Sequence, residues 1–308
     1  NGLCQSFIHS FFIILPVPKT PIHISVIIPT YNRANFLERA IDSVLSQTRK
    51  VDECIIVDDG SSDNSSLILQ KYQSNVGVIR LDKNSGVSHA RNVGMKMASG
   101  NWIALLDSDD EWKANKLERQ LEAIHKKPDT VFCHTEEIWI RNGKRVNQMK
   151  KHQKFGGFIF DKSLERCLIS PSSVLFQKSL LGEIGYFDPT FPICEDYDLW
   201  LKVSARYAVL FLDEPLVIKY AGHKDQLSLN TSKIEQYRIK ALENLVLEQG
   251  LKIEDEFSAL EMLIKKCHIY LSGAEKREHQ NQIQDFRLKI KKYKKRLHEI
   301  KAIMKDFS

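Results

Sequence analysis

The stretch ISVIIPTYNRANFLERAIDSVLSQTRKVDECIIVDDGSSD, residues 24–63, contains two β-branched runs separated by an amphipathic segment. Residues 24–28 and 53–57 have the length and composition of buried strands. Residues 36–46 between them repeat apolar side chains at helical spacing, on one face. A strand, a helix and a strand in this order favour a βαβ unit, because parallel strands need a crossover connection.

The same alternation continues along the chain. Helices are predicted at residues 65–72 and 88–98, and strands at 76–81 and 102–106. The pattern predicts an α/β fold with a mostly parallel sheet flanked by helices and a C-terminal helical appendage.

A more mixed pattern begins near residue 114. Helices are expected at 116–126 and 195–207, strands at 130–140 and 172–176, extended segments at 208–220, and a polar loop at 141–157. The predicted organisation is an N-terminal extension (1–23), a first half with alternating strands and helices (24–113), a mixed second half (114–228) and a basic helical tail (229–308).

Composition restricts the class of protein. Of the 308 residues 43% are hydrophobic and 27% charged, which is typical of a globular domain. Residues 7–17 form an apolar run that is too short to cross a membrane and lacks the basic leader of an export signal. The six cysteines have no metal-ligand spacing, so reduced thiols in the cytoplasm, without zinc, are expected.

Polar and acidic turns follow each of the first four predicted strands. They lie at residues 29–33, 58–63, 84–86 and 107–110. Because the carboxyl ends of parallel strands meet at one edge, where α/β sheets bind ligands, these turns are expected to form one site. One acidic turn alone would mean little, since Asp favours turns in any protein.

Six blocks of sequence carry a family resemblance. SVIIPTYNR, IIVDDGSSD, NSGVSHARNVGMKMASGNWIALLDSDD, SPSSVLF, IGYFDPTF and CEDYDLWLK closely resemble family 2 glycosyltransferases of the GT-A fold, in the family's order, over residues 24–228. Residues 107–109 match the family's D-x-D motif. The resemblance implies that Asp109 binds Mn²⁺ or Mg²⁺ and that Asp107 contacts the ribose, or the metal through water.

The resemblance also implies that residues 24–113 are the nucleotide-sugar-binding half and residues 114–228 the acceptor-binding half. Asp59, supported by Asp58, would accept the N–H of uracil, and Thr30 with its neighbours would close over the ring. His223 would complete the metal shell or touch the diphosphate. The full set of expected nucleotide-binding residues is Pro29, Thr30, Tyr31, Arg33, Asp58, Asp59, Gly86, Arg91, Asp107 and Ser108.

Glu195 and Asp196 match the acidic pair that supplies the family's catalytic base. An inverting transfer is a single displacement in which the acceptor hydroxyl loses its proton, and a carboxylate can accept that proton. Asp196 is the predicted base, with Glu195 and Asp198 orienting it or the acceptor. The alternative interpretation is that these acids only stabilise the first turn of a helix.

The predicted function is transfer of a sugar from a UDP donor to a glycan or lipid-linked acceptor, as in bacterial surface polysaccharide synthesis. A catalytically silent sugar-nucleotide-binding protein is an alternative. A nucleotidyltransferase is disfavoured because residues 29–33 contain no glycine, and a dehydrogenase because no G-x-G-x-x-G follows the first strand.

The basic character of the chain belongs to its tail. The net charge is +6, and residues 231–308 contain 17 Lys or Arg against 12 Asp or Glu. A helix break is expected at Gly273, followed by an apolar seam at coiled-coil spacing from Ile283 to Phe307. Three interpretations remain: packing against the rest of the chain, homodimerisation, or contact with an anionic membrane through residues 283–307. No nucleic-acid partner is expected, because the remaining chain is almost neutral.

Overall fold

The structure is a computed structural model that describes residues 21–222, 231–248 and 250–306. These residues form one mixed sheet with helices on both faces, followed by three C-terminal helices. The strands are β1 (Ile24–Thr30), β2 (Glu53–Asp58), β3 (Gly77–Arg80), β4 (Trp102–Leu105), β5 (Glu111–Trp112), β6 (Phe132–Arg141), β7 (Lys144–Val146), β8 (Leu175–Gln177) and β9 (Leu210–Ala221). The helices are α1 (Ala34–Leu45), α2 (Ser65–Tyr72), α3 (Val87–Met97), α4 (Lys116–Lys126), α5 (Phe160–Ser163), α6 (Leu181–Ile184), α7 (Glu195–Arg206), α8 (Thr231–Leu247), α9 (Ile253–Lys276) and α10 (Gln280–Asp306).

The first four strands are parallel and lie in the order β3-β2-β1-β4. All seven residues of β1 are buried, as expected for a strand covered on both faces. The predicted α/β fold with a parallel first half is confirmed, and the carboxyl ends of these strands share one edge.

The sheet continues into the second half of the chain without a gap. Strand β4 pairs antiparallel with β8, β8 pairs antiparallel with β6, and β6 pairs parallel with β9. The register of β6 with β9 shifts near Pro215 because proline has no N–H to donate. This shift bends β9, whose end lies close to the turn after β4.

Two of the sequence predictions for this half need correction. The polar loop at 141–157 contains β7, which forms a hairpin with β6 through Asn142 and Gly143, both at positive φ. Such a pair is the preferred two-residue hairpin turn. The strand predicted at 172–176 is shorter, because Pro171–Ser173 form a single 3₁₀ turn and pairing starts after it.

Two hydrophobic cores cover the two faces of the sheet, with α1 on one face and α3 on the other. Helix α3 lies very close to the sheet at Gly94, where an added Cβ would be 2.4 Å from Cγ2 of Ile27. Only glycine allows that approach, so Gly94 sets the distance between α3 and the sheet.

The three C-terminal helices form a third core with α7. The seam residues Ile283, Phe286, Ile290, Tyr293 and Ile300 are buried within the same chain. This burial agrees with packing against the rest of the chain. The homodimer and the membrane contact stay predictions, and Phe307 lies outside the described residues.

The predicted break at Gly273 is wrong. Helix α9 runs through this residue, and the chain turns at Glu278, which has φ 57°. A glycine inside a helix costs about 1 kcal/mol relative to alanine. Burial of Tyr270 and Ala274 on either side offsets that cost.

No helix among the described residues is both long enough and apolar enough to span a bilayer. The five cysteines in the described part of the chain are all free thiols, consistent with the expected reduced state.

Candidate active site

The turns after β1 and β2 are tied together by Asn32, which has φ 51°. Its side-chain oxygen accepts the N–H of Ser62 at 2.8 Å, and its own N–H donates to Oγ of Ser61 at 2.9 Å. Asn is one of the few residues that tolerates this conformation. Asn32 was not among the expected site residues, although an Asn in a turn is a signal that could have indicated it.

Of the other residues in the first turn, Pro29 is buried and Arg33 is half-buried, with its backbone N–H donating to Oγ of Ser65. Tyr31 is exposed at the rim. The predicted nucleotide-binding turn thus presents one aromatic ring and one cation beside the Asp58–Asp59 turn.

Two buried oxygens in this region lack hydrogen-bond partners among the described residues: Thr30 Oγ1 and Asp58 Oδ2. The two residues are paired across β1 and β2, so their side chains lie on the same face of the sheet. Arg80 comes within 3.8 Å of Asp58 Oδ2 without a hydrogen bond. Buried polar atoms nearly always have a hydrogen-bond partner. These two oxygens are therefore candidates for hydrogen bonds to a polar ligand.

Asp59 fixes the turn that follows β3. Its two carboxylate oxygens accept the N–H groups of Ser85 and Gly86, each at 2.8 Å. Gly86 has φ 93°, a conformation that L residues rarely adopt, and it is the N-cap of α3. Burial raises the pKa of Asp59 above its usual value, although the two N–H groups oppose the shift.

Arg91 connects the two predicted halves of the site. One guanidinium nitrogen donates to Oδ1 of Asp107 and another to Oε1 of Glu195, both at 2.6 Å. The Arg91 side chain is 3% exposed, and its guanidinium lies over the ring of Phe187, 5.1 Å from the centroid. The structure shows Arg91 in ion pairs with one acid from each half, and its predicted role at the nucleotide stays a prediction.

These contacts set the charge of both acids. Burial alone would raise the pKa of Asp107, but Arg91 and Lys219 outweigh it and hold that pKa below its usual value. Burial also acts on Glu195, and the nearby Asp196 adds to it, so that the pKa of Glu195 is raised despite Arg91. Asp107 is therefore a carboxylate at neutral pH.

Three hydrogen bonds, made by Ser172 and Arg39, hold the D-x-D turn in place. The Ser172 hydroxyl accepts the N–H of Asp107 at 3.1 Å and donates to Oδ2 of Asp110 at 2.6 Å. Arg39 donates to the backbone oxygen of Asp109 at 2.7 Å. Ser108 is buried, and the Asp107 and Asp109 side chains remain partly exposed. The turn therefore presents its two motif carboxylates on a fixed backbone.

Lys219 on β9 is a cation at this site that the sequence did not indicate. Its Nζ lies 3.7 Å from Oδ2 of Asp110, and its side chain is 29% exposed. Burial would lower the pKa of Lys219, but the surrounding carboxylates raise it, so it is positively charged. A single lysine in a strand has no sequence signal, because its proximity to the turn depends on how β9 bends.

Asp196 lies in the first turn of α7, two residues after Cys194, the N-cap residue, which has the left-handed conformation. Its Oδ1 accepts the N–H of Tyr197 at 2.8 Å, and its Oδ2 lies 3.4 Å from the Cys167 sulfur, whose single proton is shared between Asp196 and the Ile169 carbonyl at 3.2 Å. The side chain is half-buried. Asp198 instead pairs with Lys202 at 3.4 Å, since residues two apart on a helix point in different directions.

The oxygens of Asp107 and Asp109 suit a hard divalent cation, and two protein ligands leave positions for phosphate and water. No group of three or more His, Cys, Asp or Glu residues within the described ranges is arranged to hold a metal by itself. This donor set therefore fits a cation that is shared with a diphosphate. His223 lies outside the described residues.

A cavity of about 890 Å³ lies at the opposite edge of the sheet, lined by residues that include Pro21, Asn101 and Lys178. None of the expected site residues lines it. The expected site residues lie instead at the carboxyl ends of β1, β2 and β4 and at the start of α7.

Comparison with known proteins agrees with this geometry. The Glycosyl transferase family 2 model matches residues 25–184. An Escherichia coli protein described as UDP-Glc:alpha-D-GlcNAc-diphosphoundecaprenol beta-1,3-glucosyltransferase WfgD is 35% identical over 181 residues, 58% of this chain and 69% of that protein. Two uncharacterized glycosyltransferases, of Rickettsia bellii and Rickettsia felis, are 31% identical, and the chain spans only 35% and 40% of their lengths.

Solved structures show the same fold. S. aureus TarS in complex with UDP has a TM-score of 0.61 and 22% identity, covering 82% of this chain and 72% of that one. The mannosyltransferase PcManGT from Pyrobaculum calidifontis, in complex with GDP-Man and Mn²⁺, has a TM-score of 0.59 and 15% identity, covering 94% and 87%. The family match and the fold agree: the chain belongs to glycosyl transferase family 2 and has the GT-A fold.

Proposed function

We propose that this protein transfers a sugar, with inversion, from a UDP donor to a hydroxyl group of a glycan or lipid-linked acceptor. The observation that carries the proposal is the double ion pair of Arg91, which joins the D-x-D turn to the acidic start of α7. A site for the leaving diphosphate and a site for the acceptor base are thereby held side by side. The similarity to the Escherichia coli UDP-Glc:alpha-D-GlcNAc-diphosphoundecaprenol beta-1,3-glucosyltransferase supports a UDP donor and a lipid-linked acceptor.

The uridine would lie between the turns after β1 and β2. Asp59, with Asp58 in support, would accept the N–H of uracil, and the unpartnered Thr30 Oγ1 and Asp58 Oδ2 would gain partners there. A carboxylate oxygen can accept more than one hydrogen bond, so the bonds of Asp59 to Ser85 and Gly86 do not prevent this. Tyr31 and Arg33 would cover the ring.

Asp109, with Asp107 directly or through water, would hold Mn²⁺ or Mg²⁺ together with the donor diphosphate. When bound, such a cation neutralises the charge that develops on a leaving diphosphate. Arg91 keeps Asp107 ionised for this purpose, and Arg39 and Ser172 fix the turn. His223 is a further candidate ligand.

Asp196 would act as the general base. As the acceptor oxygen attacks the anomeric carbon, its proton passes to the Asp196 carboxylate. The bond between that carbon and the diphosphate oxygen breaks with its electron pair going to the nucleotide. Glu195, held by Arg91, positions the start of α7, and the Cys167 thiol holds one oxygen of Asp196.

The exposed face of α10 supports a place for this reaction at a membrane. Lys291, Lys292, Lys294 and Lys295 are exposed and form no ion pair within the described residues. Such a face suits the anionic lipids of a cytoplasmic leaflet. Contact there would bring the site to lipid-linked acceptors.

The proposal is tested by calorimetric titration of UDP into the wild type and Asp109→Ala, with and without Mn²⁺. We expect Mn²⁺-dependent binding to the wild type that the variant loses. A folded wild type that binds neither UDP, GDP nor dTDP would exclude a nucleotide-sugar transferase. Binding of UDP without any transfer from UDP-sugars would favour the silent binding protein instead.

A further inference from the structure

The ammonium group of Lys219 occupies an unusual position at the D-x-D turn. Lys219 is opposite Trp139 in the pairing of β9 with β6. Its Nζ lies 3.7 Å from Asp110 Oδ2 and makes no hydrogen bond within the described residues. The ammonium group therefore lies near the carboxylates, and its N–H groups remain able to donate hydrogen bonds to a ligand.

A neighbouring lysine shows what a purely structural pair looks like. Lys154 Nζ is 3.1 Å from Glu137 Oε2, and the two side chains are only 3% and 4% exposed. Glu137 also accepts hydrogen bonds from Ser170 and Trp139. Lys219 differs in both respects, since it stands further from its carboxylate and 29% of its side chain is exposed.

The carboxylates around Lys219 have closer partners of their own. Asp107 is held by Arg91, Asp110 by the Ser172 hydroxyl, and Glu137 by Lys154. The Lys219 ammonium contributes to the charge balance of these acids, but none of them accepts a hydrogen bond from it within the described residues. A lysine with free N–H donors at the place where a diphosphate would lie suits phosphate oxygens, which bind ammonium as a point charge.

We propose that Lys219 binds the diphosphate of the donor and stabilises the charge on the leaving nucleotide. This inference rests on the proposed function. In the transfer step the electron pair of the breaking bond goes to the diphosphate oxygen, and the ammonium donates a hydrogen bond to that diphosphate without transferring a proton. Lys219 thus supplies a fixed positive charge from the chain itself.

The test compares UDP and uridine, which differ only in the diphosphate. Both are titrated into wild type, Lys219→Met and Lys219→Arg, in EDTA and with Mn²⁺. A lost hydrogen bond to a charged group weakens binding by about ten- to a hundredfold. We expect Lys219→Met to weaken UDP binding by that factor while leaving uridine binding unchanged, and Lys219→Arg to retain most of the UDP affinity.

Lys289→Met is the matched control. Lys289 has the same 29% side-chain exposure and pairs with Glu243 at 2.8 Å, but it lies on α10. Its loss is expected to change neither affinity. If Lys219→Met fails to fold, the double variant Lys219→Met with Asp110→Asn, which removes the charge together with its partner, replaces it in the same titrations.

The outcomes separate the two proposals. If the wild type binds UDP and the Lys219 variants keep the wild-type ratio of UDP to uridine affinity, Lys219 is only structural and this inference fails alone. If the folded wild type binds no nucleoside diphosphate, the proposed function fails and the role of Lys219 fails with it.

Discussion

Asp107 and Glu195 share one guanidinium, that of Arg91, although they belong to the two halves of the chain. The shared cation is buried and lies between the turn after β4 and the start of α7. Any movement of one acid relative to the other must break a short ion pair. One side chain therefore ties Asp107 on the donor side directly to Glu195 on the acceptor side.

The first prediction concerns that side chain. Arg91→Met leaves Asp107 and Glu195 without their shared buried cation, and breaking a buried ion pair in this way costs about 3–5 kcal/mol. We expect the free energy of unfolding in urea to fall by that amount. The control is Arg287→Met, which removes an exposed pair with Glu275 and should cost at most about 1 kcal/mol. Equal losses in the two variants would show that Arg91 does not link the halves.

The second prediction tests the base. Asp196→Asn keeps the shape of the side chain but cannot accept the acceptor proton. General-base catalysis contributes roughly 10²- to 10⁴-fold, so transfer should fall by that factor while UDP affinity stays the same. Turnover and calorimetry on the same preparation measure the two effects. Asp213→Asn, at an exposed position on β9, is the control. Wild-type turnover in Asp196→Asn would assign the base to another residue.

The third prediction is a pH dependence of stability. Lys116 is fully buried, donates to Oε1 of Gln120 at 2.7 Å and lies 4.0 Å from the centroid of the Trp112 ring. Burial lowers its pKa from 10.5 to about 7. Between these values the unfolded chain binds the proton and the folded one does not. The free energy of unfolding therefore rises with pH across this window. The penalty for burying Lys116 is greatest at about pH 7 and below.

The measurement is the free energy of unfolding of wild type and Lys116→Met between pH 6 and pH 10. The difference between them should change by about 1.4 kcal/mol per pH unit across the window, with the variant gaining most at low pH. Below about pH 7 the difference should be constant. A difference that is independent of pH throughout would mean that Lys116 keeps its proton in the folded state.

The fourth prediction concerns α10. Replacing Lys291, Lys292, Lys294 and Lys295 by Gln should abolish binding to vesicles that contain anionic lipid, since each basic residue near such a surface contributes about 1 kcal/mol. Co-sedimentation measures this directly. A second variant with Lys83, Lys126, Lys127 and Lys144 changed to Gln loses the same charge elsewhere and should still bind. Equal binding by both variants would assign the face another role.

The sequence was most informative where a residue's role depends on its own segment. The β-branched runs predicted β1, β2 and β4, and the turns after them predicted the edge at which Thr30, Asp59 and Asp109 lie. Composition and spacing are sufficient there, because a parallel strand is buried on both faces and its end is marked by turn residues. Glu195 and Asp196 were placed correctly at the start of α7 for a similar reason.

The contacts between distant segments could not be predicted in this way. Arg91 meets Glu195, Ser172 meets Asp110, and Cys167 meets Asp196 only because the sheet brings their segments together. Lys219 reaches the D-x-D turn on a strand bent near Pro215, and no local pattern records that bend. The position of each of these residues in its own strand, turn or helix could thus be predicted from the sequence, whereas its contact partners depend on packing.

The antiparallel pairing of β4 with β8 has a consequence for dividing the chain. Residues 24–113 look like a complete nucleotide-binding unit, but in isolation they would leave β4 as an open edge with unpaired N–H and C=O groups. Open apolar edges recruit strands from other molecules. A fragment that ends before residue 178 should therefore aggregate, and the smallest piece suitable for expression must include β8.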